Sequence, residues 1–116
     1  MRVISRQTLK NFCESCKGHK DYKALKGALD SWYAEAKKAC WKNSSHVKSS
    51  FSTASIISSD RVVFNIKGND YQLVVSVHYR REIVFIKWIG THKEYDKINA
   101  KEISYGNQAN KNASRS

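Results

Sequence analysis

Arg61-Val62-Val63-Phe64-Asn65-Ile66-Lys67-Gly68-Asn69-Asp70-Tyr71-Gln72-Leu73-Val74-Val75-Ser76-Val77-His78-Tyr79-Arg80-Arg81-Glu82-Ile83-Val84-Phe85-Ile86-Lys87-Trp88-Ile89 is the stretch on which the fold turns. It is rich in β-branched and aromatic residues that alternate with polar ones, so it reads as strands over 61–67, 71–79 and 83–89. The links Gly68-Asn69-Asp70 and Arg80-Arg81-Glu82 are short enough to be hairpin turns, which makes the region an antiparallel meander. Side chains on a strand point to opposite faces in turn. One face is then expected to carry Val62, Phe64, Ile66, Leu73, Val75, Val77, Val84, Ile86 and Trp88. The other collects Arg61, Asn65, Lys67, Gln72, Ser76, His78 and Lys87 around Val63, Val74, Phe85 and Ile89.

Towards the N-terminus the period lengthens to that of a helix. Arg2-Val3-Ile4 is a short strand, and Ser5 is placed to cap a helix with Leu9, Phe12, Cys13 and Cys16 on one stripe before Gly18 ends it. A second helix over about 21–40 has Tyr22, Leu25, Leu29, Trp32, Tyr33, Ala36 and Cys40 on one side and Lys23, Lys26, Asp30, Lys37 and Lys38 on the other. The two form a helical hairpin whose apolar side needs the Phe64, Val75, Ile86 face of the sheet. The expectation is an α+β domain: a hairpin on an antiparallel sheet of three to four strands, plus the short N-terminal strand. Between 43 and 59 the chain turns polar and serine-rich, with one helical turn near 45–51 and a short strand at 54–57. A single domain over 1–103 followed by a disordered polar tail at 104–116 completes the expected organisation.

The 116 residues hold 21 Lys plus Arg against 10 Asp plus Glu, a net charge of +11 that calls for a polyanionic or acidic partner. Residues 1–50 account for +7 of it, so the basic surface is expected mainly on the N-terminal half. The chain lacks both a long apolar run and an apolar leader, which points away from membranes and towards the cytoplasm. Three cysteines, an odd number, suit reduced thiols. Cys13-x-x-Cys16-x-x-His19, with Cys40 as a distant fourth ligand, has metal-like spacing, but its cysteines lie on the buried stripe of a helix and read as small apolar side chains. Phosphate loops, zinc-protease and serine-hydrolase motifs are missing, as is an acidic cluster for divalent ions, so neither a metal nor another cofactor is expected.

Thr91-His92-Lys93-Glu94-Tyr95-Asp96-Lys97 places two proton-transfer side chains and two cations just after the last strand. A Thr91 cap would start a helical turn that sets His92 and Tyr95, at i and i+3, on one side. Histidine titrates near neutrality, and lysines around a tyrosine can lower its phenol pKa, so either group could act as base or acid. The bland alternative has His92 finishing the strand and Tyr95 packing on the core.

The whole chain to about residue 103 resembles the HigB family of RelE-like messenger-RNA endonuclease toxins. The resemblance rests on Arg2-Val3-Ile4-Ser5, on Leu29-x-x-Trp32-Tyr33-x-x-Ala36-Lys37-Lys38-Ala39-x-Trp41, and on Thr53-Ala54-Ser55-Ile56. Its longest blocks are Arg61-Val62-Val63-Phe64-Asn65-Ile66-x-Gly68-Asn69-x-Tyr71 and Gly90-Thr91-His92-Lys93-Glu94-Tyr95-Asp96-Lys97-Ile98. It implies a RelE-like fold, cleavage of mRNA on the ribosome by the ribose 2′-OH without metal, ribosomal-RNA contacts, and neutralisation by a HigA-type antitoxin. Carried over to this chain, the catalytic set is His92, Tyr95, Lys67 and Lys87. The RNA-binding set is Arg61, Asn65, Gln72, His78, Arg80, Arg81 and Lys93, with Lys23, Lys26, Lys37 and Lys38 on the helical face. Gln72 and Ser76 stand where the family commonly has arginine; a glutamine cannot offset phosphorane charge as a guanidinium does, so either another cation such as Arg80 or Arg81 takes over or the chain is a weakened nuclease. The competing reading is a basic RNA-binding module without catalysis.

Overall fold

A computed structural model describes residues 1–103 of the chain; the expected tail from 104 onward lies outside the described residues. The elements are β1 (Arg2–Ile4), α1 (Arg6–Ser15), α2 (Tyr22–Lys38), α3 (Ser44–Ser50), β2 (Ser55–Ile56), β3 (Arg61–Ile66), β4 (Tyr71–His78), β5 (Ile83–Thr91) and α4 (His92–Tyr95). All strands belong to one five-stranded sheet in the order β1-β5-β4-β3-β2. The meander β3-β4-β5 is antiparallel as its short turns require, and β1 adds to β5 in parallel, so the sheet is mixed rather than purely antiparallel. The amino-terminal ammonium fastens β1 from outside the sheet: it donates to the carbonyls of Lys37 (3.1 Å) and Ala39 (2.6 Å), at the negative end of α2.

Leu25, Leu29, Trp32 and Ala36 are the buried stripe of α2, and Leu9 and Cys13 are that of α1. Both stripes join one core with Val62, Phe64, Leu73, Val75, Val77, Val84 and Ile86 from the sheet. Phe64 is its aromatic centre, with ring centroids 5.4 Å from Trp32, 5.0 Å from Phe51 and 6.1 Å from Trp41. Cys40 departs from the expected stripe: it lies beyond the end of α2 and is exposed. Ser5 departs as well, since it precedes α1 in a left-handed conformation (φ 72°) with no side-chain cap bond. Asn43 does cap α3, accepting from the His46 amide at 3.2 Å.

Strict alternation fails at one place in β5. Val74 pairs with Trp88 but Val75 pairs with Ile86, so Lys87 is an extra residue bulged out of the ladder. The bulge shifts the phase of everything after it. Ile89 therefore faces the helices. Trp88, expected there, sits on the opposite face with Val63, Val74 and Ile103. That face is not an open polar surface either, because Ile98, Ala100 and Ile103 pack across it.

Candidate functional site

β5 leads directly into α4 at the end of the sheet where the β3–β4 turn also lies. Thr91 caps α4 through a reciprocal capping box: its hydroxyl accepts from the Glu94 amide (3.1 Å), and the Glu94 carboxylate accepts from the Thr91 amide (2.8 Å). The His92 amide donates to the Asp70 carbonyl at 3.0 Å, tying α4 to the turn. Gly90 is needed just before this cap, since a Cβ there would run into the Trp88 ring and the Glu94 carboxylate.

His92 is exposed at the start of α4. Tyr95 is half-buried, its ring 6.3 Å from that of Trp88, and it packs on the second cluster. Burial pushes the Tyr95 phenol above its ordinary value and Asp96 adds to the rise. This corrects the expectation of a phenol lowered by neighbouring lysines: the group stays protonated well past neutrality and can donate a proton or hydrogen bond. Lys93 is exposed on the same short helix.

The two expected cations do not sit alike. Lys67 opens the turn in a left-handed conformation (φ 53°), and its ammonium is held by Asp70 at 2.8 Å and Asp21 at 3.7 Å. Lys87, at the bulge, reaches back over the Phe85 ring at 5.3 Å. His78 meets the same ring edge-on, 6.3 Å between centroids.

The RNA-binding candidates divide further. Arg61 directs its guanidinium into the protein, Nη1 donating to the carbonyls of Ile103 (2.7 Å) and Ala100 (3.2 Å), so it clamps the segment that crosses the second face. Gln72 is only 4% exposed, and its Nε2 donates to Asn69 Oδ1 (2.8 Å) and Asn65 Oδ1 (2.9 Å). Ser76 is buried too and donates to Asp60 at 2.9 Å. Arg80 and Arg81 are exposed in the β4–β5 turn at the far end of the sheet, away from α4, as the order of residues along β5 demands. Lys23, Lys26, Lys37 and Lys38 are all exposed on α2, with Lys26 paired to Asp30 at 3.0 Å. Among the described residues no three His, Cys, Asp or Glu side chains gather as metal ligands would, and Cys13 is buried with its thiol pushed up chiefly by that burial.

Residues 25–98 match the model of the HigB toxin family, described as the RelE-like toxic component of a toxin-antitoxin system. The chain belongs to that family. The match runs from inside α2 to just past α4, so it takes in the capped turn, the meander and most of the lysine-bearing helix. Among curated proteins none matches the chain. As a HigB toxin family member it is the toxic component of a pair, and membership implies an antitoxin partner. Among the described residues no helix is long and apolar enough to cross a membrane.

Asn69 and Asp60 were not singled out in the sequence, yet each holds a buried polar side chain of β4 in place. The available signal was the pair Gln72 and Ser76 itself: polar residues in the middle strand of a small sheet have to find partners.

Proposed function

We propose that this HigB family member is a ribosome-associated endoribonuclease that cuts messenger RNA in the cytoplasm, inhibits translation and is neutralised by a HigA-type antitoxin. Residues 1–103 form its one domain, with α1 and α2 as the helical hairpin of the RelE-like fold. The reading rests most on the Thr91–Glu94 capping box, which sets an exposed imidazole and a phenol of raised pKa on one turn in a chain of this family. His92 takes the proton of a ribose 2′-OH as its oxygen bonds to the adjacent phosphorus. The bond from phosphorus to the 5′ oxygen breaks, Tyr95 protonates that oxygen, and the products are a 2′,3′-cyclic phosphate and a 5′-OH. Lys67 supplies positive charge beside the phosphorane once the RNA phosphate competes with Asp21 and Asp70, and Lys87 adds to it by leaving the Phe85 ring and turning towards α4. These side chains fill every role, so the step needs no metal. Lys23, Lys26, Lys37, Lys38, Arg80, Arg81 and Lys93 hold the RNA backbone electrostatically.

A non-catalytic basic RNA binder is the second reading, favoured by the carboxylates on Lys67 and the packing of Tyr95 on Trp88. Single-turnover cleavage of mRNA on programmed ribosomes, beside binding titrations at several salt concentrations, separates the two. The His92→Ala change is expected to slow cleavage by about 10²- to 10⁴-fold with binding nearly unchanged. Neutralising the four α2 lysines is expected to weaken binding and flatten its salt dependence. A parent protein that binds ribosomes but never cuts establishes the binder instead.

A further inference from the structure

The Gln72, Asn65 and Asn69 carboxamides form a cluster that the roles above do not use. Gln72 lies in the central strand, paired across the sheet with Asn65 on β3 and with Gly90 on β5. A buried amide must be hydrogen-bonded, and Gln72 answers that need through the side-chain oxygens of two asparagines rather than through backbone. Asn69 is exposed in the turn, and the turn is closed without its side chain by the Asp70 amide donating to the Lys67 carbonyl at 3.2 Å. Holding an exposed asparagine in one rotamer therefore costs side-chain entropy and returns nothing to the turn. What it does is satisfy the buried Gln72 amide and, in the same contact, orient its own carboxamide. With each Oδ1 taken by Gln72, each asparagine keeps its Nδ2 for another acceptor. Asn65 Nδ2 has one long bond to the Thr53 carbonyl (3.5 Å), and Asn69 Nδ2 has no acceptor among the described residues.

The cluster borders the capped turn. Asn69 adjoins Asp70, whose carbonyl receives the His92 amide, and Gln72 faces Gly90, two residues before His92. Lys67, the nearest cation in sequence, is engaged by two carboxylates. We propose that Asn65 and Asn69, oriented by Gln72, are a neutral donor pair for the non-bridging oxygens of the RNA phosphate presented to His92. Preorganised neutral donors stabilise a developing oxyanion because they need no reorganisation as charge builds. In this arrangement Gln72 does not touch the phosphate; it positions the two amides that do. The inference rests on the nuclease reading.

The test uses the full chain, programmed ribosomes, and mRNA carrying a phosphorothioate of either configuration at the cleaved linkage. Asn69→Ala is expected to slow single-turnover cleavage by about 10²-fold while leaving ribosome affinity unchanged. One phosphorothioate isomer is expected to slow the parent and to slow Asn69→Ala much less, because sulfur accepts hydrogen bonds poorly and the variant has already lost the donor. Gln72→Glu is expected to reproduce the loss by drawing both Nδ2 groups inward. If that variant fails to fold, the exposed Asn69 position decides alone. Equal rates and an unchanged thio effect in Asn69→Ala overturn the donor pair and leave the nuclease standing. A shift in which sequences are cut, with the thio effect intact, overturns it in favour of a base contact. A parent that does not cleave removes the nuclease reading and the donor pair together.

Discussion

The two faces of the sheet are built on different principles. The face under α1 and α2 is one continuous hydrophobic core, and on β3 and β4 alternation alone assigns the places, Val62, Phe64 and Ile66 on the one and Leu73, Val75 and Val77 on the other. The other face is a small apolar patch, Val63, Val74, Trp88 and Ile103, surrounded by buried and half-buried polar side chains that each need a specific partner. Gln72 finds asparagines, Ser76 finds Asp60, and Arg61 finds two main-chain carbonyls. The first face follows from hydrophobic burial, which is non-directional and tolerant. The second follows from hydrogen bonds, which are directional and costly to leave unmade. The candidate site lies beside the second.

The sharpest way to break that contrast is Phe64→Ala. Removing the ring at the centre of three other aromatics is expected to cost about 3–5 kcal/mol of global stability, measured by denaturant titration. A loss below about 1 kcal/mol would mean that the helix face is not the main source of stability. Arg61→Met keeps the side chain's apolar stem and deletes its charge-assisted bonds to Ala100 and Ile103. It is expected to cost about 2 kcal/mol and to speed amide hydrogen exchange at 98–103 while protection in α2 persists. Uniform deprotection would show that the second face is no separate unit.

Ser76→Ala should give the smallest effect and one that depends on pH. Burial pushes the Asp60 carboxyl up, but hydrogen bonds from Ser76 and Ser58 and the charge of Arg61 outweigh it and hold the group below its ordinary value. A carboxyl depressed in the folded state adds stability above its unfolded pKa of 3.8, and that contribution is lost as pH falls through the lower folded value. Parent and Ser76→Ala are therefore expected to differ modestly at pH 7 and to converge in strong acid. A difference that persists with Asp60 protonated would assign the effect of Ser76 to packing.

Much of the architecture was legible because periodicity reports burial directly. The stripe Leu25, Leu29, Trp32, Ala36 could hardly be other than a helix on a core, and the meander followed from its two short links. The Thr91 cap was legible too, since a threonine with glutamate three residues on satisfies two helix-terminal donors through purely local bonds. The direction of the Tyr95 shift was not. It depends on Trp88, which strict alternation puts on the wrong face, and on a packing segment without any period of its own.

Residue type and near-neighbour spacing were enough to specify the number and kind of the elements, the helix-covered core, the basic charge and the capped turn bearing His92. Where Lys67, Arg61 and Gln72 direct their polar ends was settled by the folded arrangement instead. Lys67 turns to Asp21, Arg61 to Ile103 and Gln72 to Asn65, partners that lie 46, 42 and 7 residues away along the chain. Lys67 and Gln72 each have a partner three residues away as well, Asp70 and Asn69, but local spacing does not encode the distant choices: a long polar side chain goes where an unpaired donor or acceptor waits, and folding brings that group into reach. One bulged residue, Lys87, moved Trp88 across the sheet for a related reason, since a period of two carries no memory of an insertion until the partner strand fixes the register.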